Sequence, residues 1–178
     1  MKRIIGILIA IFLLIVVIQS LYPQKMNLKV GDEVPSFTLL DQNGKEFDIN
    51  KFIGKKAMVI YFYPKDDTPG CIKEACSFRD EFEVFTDMNV EVIGISSDDV
   101  PSHKNFAEKY NLPFTLLSDT SKKVRKMFGI KNSLLGILPG RVTYVIDNEG
   151  VIRLIFNKQF GAEKHITESL AILKEINK

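Results

Sequence analysis

Cysteine is scarce in this chain. Its 178 residues include two, Cys71 and Cys76, and histidine is equally rare, at His103 and His165. A framework of disulfides is thereby excluded, and a chain of this length closes a core without such staples. Neither sign of charge prevails, since 24 Lys and Arg face 22 Asp and Glu for a net charge of +2. There is no Lys/Arg block and no basic stripe interleaved with aromatics, so nucleic-acid binding has no support. Internal repeats and low-complexity segments are missing too, and nothing marks a second domain.

One long apolar run is present, at the start. After Lys2 and Arg3 the chain is apolar or Gly from Ile4 to Ile18. The stretch to Tyr22 just exceeds the lower limit of about 17 residues for a membrane-spanning helix. Read as a cleaved secretory signal cut after Ser20, it would leave Ile18 at the third position before the cut, a poor fit to small-residue cleavage sites. The expectation is a signal anchor over residues 1–23, a linker over 24–30 and a folded domain over 31–178. Basic residues crowd the N-terminal side of the run, which places the folded domain outside the cytoplasmic membrane. The alternative is a secreted or periplasmic domain released by cleavage.

Alternating apolar and polar residues on both sides of Asn43-Gly44 predict a β-hairpin. The apolar run at 57–63 and the run at 90–97 read as strands buried on both faces. Helices are expected near 71–85, 101–110, 122–128 and 162–176, with a short strand in "FTLLSD" and a hairpin in "RVTYVIDNEGVIRLIF". Strands alternating with helices predict an α/β fold with a mixed central sheet. The order matches a thioredoxin-like fold with an N-terminal β-hairpin extension and an added helix at 100–110. Ligands of such sheets gather beyond the carboxyl ends of the parallel strands, and Cys71 follows one of those ends.

Pro69 and Gly70 interrupt the chain just before Cys71, which puts this thiol in the first turn of a helix, where unpaired N–H groups favour a thiolate. Cys76 lies five positions on. An ideal helix separates the two Cα atoms by about 8.6 Å, beyond the usual disulfide limit of about 6.8 Å. Thr68 can aim its hydroxyl at the Cys71 sulfur or at a ligand there, and Pro64 ends the preceding strand without an N–H.

Pro64, Thr68 and Cys71 match the P-x3-T-x2-C signature of peroxiredoxins. "YPKDDTPGCIKEACSFRD", "LPFTLLSD" and "GRVTYVIDNEGVI" resemble the bacterioferritin-comigratory-protein, or peroxiredoxin Q, branch of that family. The resemblance runs from about Lys29 onward, with Ile72 where Thr is more usual and the apolar N-terminus as a departure. It implies a thiol peroxidase acting on hydrogen peroxide and organic hydroperoxides. Cys71 would attack as thiolate, Thr68 would bind the peroxide, and Arg141 would hold the thiolate and the developing charge. Cys76 would resolve the sulfenic acid as an intramolecular disulfide, recycled by a thioredoxin-type reductant. The resemblance implies a monomer and calls for no metal or organic cofactor.

Two other readings of a tethered thioredoxin-like domain are a thiol–disulfide oxidoreductase and a copper-delivery module. The first normally uses C-x-x-C, and the second needs two thiols close enough for joint ligation. His103, at a helix start, and His165, within the last helix, read as surface residues. Glu74 can orient Arg141 but reads as solvated in the first turn, and Arg79 belongs to a charged helix face.

Overall fold

The computed structural model describes residues 28–133 and 138–176. Its centre is a seven-stranded sheet in the order β2-β1-β5-β4-β3-β6-β7, built from Thr38–Asp41 (β1), Glu46–Asp48 (β2), Ala57–Phe62 (β3), Val90–Ser96 (β4), Thr115–Ser118 (β5), Val142–Ile146 (β6) and Ile152–Asn157 (β7). β3, β4 and β5 run parallel to one another, whereas β6 against β3, β7 against β6, β1 against β5 and the β1/β2 hairpin pair antiparallel. The sheet is therefore mixed and thioredoxin-like, with the expected hairpin added at one edge. Gly44 closes that hairpin at φ 74°, a left-handed conformation glycine adopts without a Cβ clash.

β3 shows how one strand builds two cores. Its side chains alternate between faces with period two. Val59 and Tyr61 join Ala75, Phe78, Phe85, Phe106 and Leu173 on one side. Met58, Ile60 and Phe62 join Ile93, Ile95, Val124 and Phe128 on the other. The first side is covered by the helices Pro69–Asp80 (α1), Phe82–Asp87 (α2), Val100–Tyr110 (α3) and Glu163–Ile176 (α5). Lys123–Met127 (α4) lies over the other.

The helix expected to run without interruption to Phe85 is instead broken at Glu81, whose ψ of 9° leaves the helical range. The Glu81 amide reaches the carbonyls of both Ser77 and Arg79, the tightening with which a helix commonly closes its last turn. Phe78 and Phe85 still pack together across the break, with ring centroids 5.8 Å apart.

The expected spanning segment, residues 1–23, lies outside the described residues. Among the described residues no helix is long and apolar enough to cross a membrane. The transmembrane helix is therefore removed from the fold as a correction, and the folded part is a thioredoxin-like α/β unit alone.

Candidate active site

The loop from β3 to α1 carries Pro64 and Thr68 past the carboxyl end of β3 and leads to Cys71 in the first turn of the helix. The amide of Tyr63 donates to Ile95 O at 3.1 Å, which carries the pairing with β4 one residue beyond β3. Pro64 then ends it. Thr68 has extended dihedrals (φ −87°, ψ 144°) at the N-cap of α1 and caps no amide with its side chain; its carbonyl accepts from the amides of Cys71 and Ile72, both at 2.9 Å. The hydroxyl donates to Lys65 O at 3.0 Å, which leaves its oxygen lone pairs open. Both cysteines are free thiols, Cys71 buried in the first turn and Cys76 half-buried.

Arg141 enters from the residue before β6. Its Nη2 lies 3.4 Å from Cys71 Sγ, its Nη1 donates to Glu74 Oε2, and its Nε donates to Gln159 O at 3.2 Å. Gly70 makes this approach possible, since a Cβ there would stand 3.1 Å from Arg141 Nη2. Cys71 and Glu74, three apart on one helix, share a face and so share this cation.

Glu74 is fully buried rather than solvated. Burial pushes its carboxyl up to about 8, with Arg141 working against that rise. Burial would lower Arg141, yet the charges of Glu74 and Cys71 outweigh it and leave the guanidinium above its ordinary value. Oε1 of Glu74 has no hydrogen-bond partner, and His165 Nδ1 stands 3.7 Å from it.

His165 and His103 are also corrections, for neither is on the surface. His165 Nε2 faces Lys158 O at 2.8 Å and therefore carries the proton, so Nδ1 accepts from the Thr143 hydroxyl at 2.7 Å. Burial lowers His165 to about 4 and keeps the ring neutral. His103 Nδ1 stands 2.9 Å from Asp66 Oδ2, beside hydrogen bonds to Asp66 from Tyr63 and Ser102, both 2.8 Å. Burial tends to raise Asp66, but these donors, led by His103, bring it below the ordinary carboxylate value. Because Asp66 lies between Pro64 and Thr68, this cluster fastens the loop to α3.

A second buried cation, Arg125 on α4, donates from Nη2 to Tyr63 O at 2.7 Å and from Nη1 to Gly140 O at 2.8 Å. These carbonyls belong to the residues just before Pro64 and Arg141, so one side chain joins the two segments that meet at the thiol. Burial lowers Arg125, with the charges of Asp119 and Cys71 opposing. Sequence reasoning passed over Arg125 and Asp66, and it placed His103 and His165 on the surface. A cavity of about 610 Å³ opens between Lys55, Asn89, Asp147 and Ile176, at the opposite end of β3, and none of these groups lines it.

A first-turn thiol against a buried arginine, in a thioredoxin-like sheet, is an arrangement suited to thiol chemistry, and proteins of similar sequence exist. The AhpC/TSA family model matches residues 30–155. The chain belongs to the AhpC/TSA family. Within it the similarity is to peroxiredoxin Q proteins. The chloroplastic Peroxiredoxin Q of Populus jackii is 56% identical over 146 residues, 82% of this chain and 68% of that protein. Among solved structures, the peroxidoxin BcpB of Mycobacterium tuberculosis is 37% identical with a TM-score of 0.77, over 84% of this chain and 99% of that one. The bacterioferritin comigratory protein of Xanthomonas campestris, solved as trapped intermediate and ligand complexes bearing on its alkyl peroxide reduction activity, is 30% identical with a TM-score of 0.73, over 80% and 92%.

This peroxiredoxin is accordingly a thiol-dependent peroxidase, with a peroxide as substrate and a thioredoxin-type protein as the general class of reductant. The anchored, extracytoplasmic location expected from the N-terminus does not stand. The described residues hold no spanning helix, and the Populus relative is chloroplastic by name. The membrane-tethered oxidoreductase and copper-delivery readings lose their basis with it. Among the described residues no three His, Cys, Asp or Glu groups cluster as metal ligands, and both imidazoles are engaged in the bonds above.

Proposed function

We propose that Cys71 is the peroxide-attacking residue and Cys76 the resolving one, in a domain spanning residues 31–178 that works as a monomer. The observation that carries this reading is the 3.4 Å approach of Arg141 Nη2 to a buried thiol in the first turn of a helix. The fixed guanidinium and the positive end of the helix dipole both suit a sulfur that attacks as an anion. The thiolate attacks one peroxide oxygen, the O–O bond breaks, and the leaving oxygen takes a proton to depart as water or an alcohol. Cys71 is left as sulfenic acid, the reversible first rung of thiol oxidation.

Each site residue has a part. Thr68 accepts the hydroperoxide proton on its open lone pairs, Pro64 closes the wall of the pocket without an N–H competing for the ligand, and Arg141 stabilises the charge that develops on the departing oxygen. Cys76 then attacks the sulfenic sulfur, releasing water and forming the Cys71–Cys76 disulfide. An external dithiol of the thioredoxin type returns both thiols. The electrons come from thiols throughout, so the chemistry calls for no metal or organic cofactor. Hydrogen peroxide and organic hydroperoxides are both substrates, and the alkyl peroxide activity of the Xanthomonas relative supports the second class.

The test is peroxide-dependent oxidation of a thioredoxin by the full chain, with mass spectrometry of the oxidised protein. Turnover with a Cys71–Cys76 link is expected. Turnover with a link between chains would overturn both the intramolecular resolution and the monomer.

A further inference from the structure

We propose that Phe160 is the docking point of the reductant, in a basic surface beside α1 that receives a thioredoxin-type protein through an apolar patch edged with carboxylates. The inference rests on the proposed Cys71–Cys76 disulfide as the species reduced. Phe160 is 68% exposed, the most exposed large apolar side chain among the described residues. A lone exposed apolar residue is ordinary in a folded protein. Its place and its fixed backbone set this one apart.

The place follows from α1. Pro69, Lys73, Cys76 and Asp80 recur at helical spacing and are exposed or half-buried, so they form the outer stripe of that helix. Lys73, next to Cys76 on this stripe, pairs with Glu163 at the start of α5 at 2.7 Å. Phe160 lies just ahead of Glu163, in the connection from β7 to α5. That connection is held from inside: His165 Nε2 donates to Lys158 O at 2.8 Å, Arg141 Nε donates to Gln159 O at 3.2 Å, and the Lys164 amide donates to Gly161 O at 3.0 Å. The ring is therefore presented on ordered backbone, and docking has little to order beyond the ring itself.

The chemistry decides the occupant. Thiol–disulfide exchange puts a partner's thiolate in contact with a sulfur of the disulfide. Weak redox encounters bury up to about 1,200 Å² in total, so the covered surface spreads well beyond the two sulfurs. An aromatic ring at that distance is of the residue class enriched in such contacts. The Cys71–Cys76 S–S bond breaks as the partner's thiolate forms a mixed disulfide with one sulfur and the other leaves as thiolate. The partner's second thiol then displaces the first, so its dithiol gives up two electrons and two protons and ends as a disulfide. Lys158 and Lys164, both exposed, flank Phe160, and among the described residues neither has an ion-pair partner. Lys73, Lys158 and Lys164 against Glu163 leave the patch cationic, which favours carboxylates on the partner.

The test uses the full chain, oxidised with an equivalent of hydrogen peroxide, and follows its reduction by a thioredoxin and by dithiothreitol in stopped flow. Phe160→Ser should react about tenfold more slowly with thioredoxin and within about twofold of wild type with dithiothreitol, which needs no docking surface. Its peroxide attack should be that of wild type. Val30→Ser, which trims another side chain that is 60% exposed, should match wild type throughout. The double variant Lys158→Glu, Lys164→Glu should slow reduction by thioredoxin at low salt and flatten its salt dependence. A wild-type thioredoxin rate in Phe160→Ser overturns the docking point. Equal slowing with both reductants, or a matching loss in Val30→Ser, overturns it too. So does slower peroxide attack alone, which would make the surface one for substrate, or a wild-type dimer that Phe160→Ser dissociates, which would make it one for a second copy. An unchanged salt dependence in the lysine variant overturns the carboxylate edge. A wild type in which mass spectrometry finds no Cys71–Cys76 link overturns the pairing beneath the inference instead.

Discussion

A single guanidinium serves two residues of one helical turn: Arg141 Nη2 lies 3.4 Å from Cys71 Sγ while Nη1 donates to Glu74. The side chain is held at its third nitrogen by Gln159 O and is buried, with 4% exposed. It arrives already oriented, so in the proposed attack little reorganisation is needed as charge passes from the sulfur to the departing oxygen.

Loss of that charge should show in the chemical step. Arg141→Ala is expected to slow peroxide attack by roughly a hundredfold, the scale of a buried charge-assisted contact. Arg141→Lys should recover only part, because a lysine cannot bridge two acceptors with the same planar fork. Stopped-flow consumption of peroxide measures both, and a wild-type rate in Arg141→Ala would assign the role elsewhere.

The two thiols should separate by stoichiometry. Cys71→Ser is expected to consume no peroxide, and Cys76→Ser to consume about one equivalent and stop at sulfenic acid, the first rung of oxidation. Single-turnover assays with a sulfenic-acid trap read this directly. Full turnover by Cys71→Ser would remove Cys71 from the chemistry.

Gly70 offers a change in which stability and rate part company. An added Cβ would stand 3.1 Å from Arg141 Nη2, so the guanidinium must give by a few tenths of an ångström. Alanine, meanwhile, is favoured over glycine in helices by up to about 1 kcal/mol. Gly70→Ala should therefore keep or raise the melting temperature while slowing peroxide attack roughly tenfold. A paired thermal melt and rate measurement would decide it, an unchanged rate showing that the fit at Gly70 is not what places Arg141.

Stability should respond to pH in two opposed ways. Burial raises Glu74 from 4.5 to about 8, so the unfolded chain gives up this proton first; its contribution is full below 4.5 and is lost as pH climbs to about 8. Burial lowers His165 from 6.5 to about 4, so its contribution is full above 6.5 and is lost as pH falls to about 4. Between 4.5 and 6.5 the two slopes oppose. From 6.5 to 8 only the Glu74 decline remains, at most about 1.4 kcal/mol per pH unit. Urea melts across this range should show that decline in the wild type and none in Glu74→Gln.

The loop that carries Pro64 and Thr68 should prove as sensitive as the core. Asp66→Asn would replace an acceptor of the hydrogen bonds from Tyr63 and Ser102 by an amide, and a buried donor left unsatisfied costs about 1–3 kcal/mol. Donors led by His103 outweigh burial and lower Asp66, so its contribution is present above 3.8 and disappears as pH falls below that. Denaturant melts of the variant should show the loss at neutral pH, and an unchanged midpoint would show the loop to be held by other contacts.

Much of this arrangement is written in local pattern. Pro69-Gly70 ahead of an apolar stripe announces α1, the apolar run at 57–63 announces the buried strand β3, and Asn43-Gly44 announces the hairpin turn. The partners of Glu74 and Asp66 are not local: Arg141 is 67 residues from Glu74, and His103 is 37 from Asp66. Only the closed sheet brings them together. His103 did leave a trace, since Phe106 and Ala107 follow it at three and four positions and all three are buried on one face of α3. Its polarity suggested water, where the fold supplies a carboxylate. The apolar start of the chain read as a membrane span by length and composition alone, properties independent of any tertiary contact.

Arg125 has a consequence for how this protein tolerates change. It sits on a five-residue helix over the sheet face opposite α1, and among the described residues it makes no hydrogen bond to either thiol. Yet it clasps the carbonyls on which both arms of the site hang. Substitutions in and around that small helix, on the back of the molecule, are thus transmitted to the front as misalignment. The short helix is a hinge pin, and wear there would disable the peroxidase while every residue that meets peroxide stayed intact.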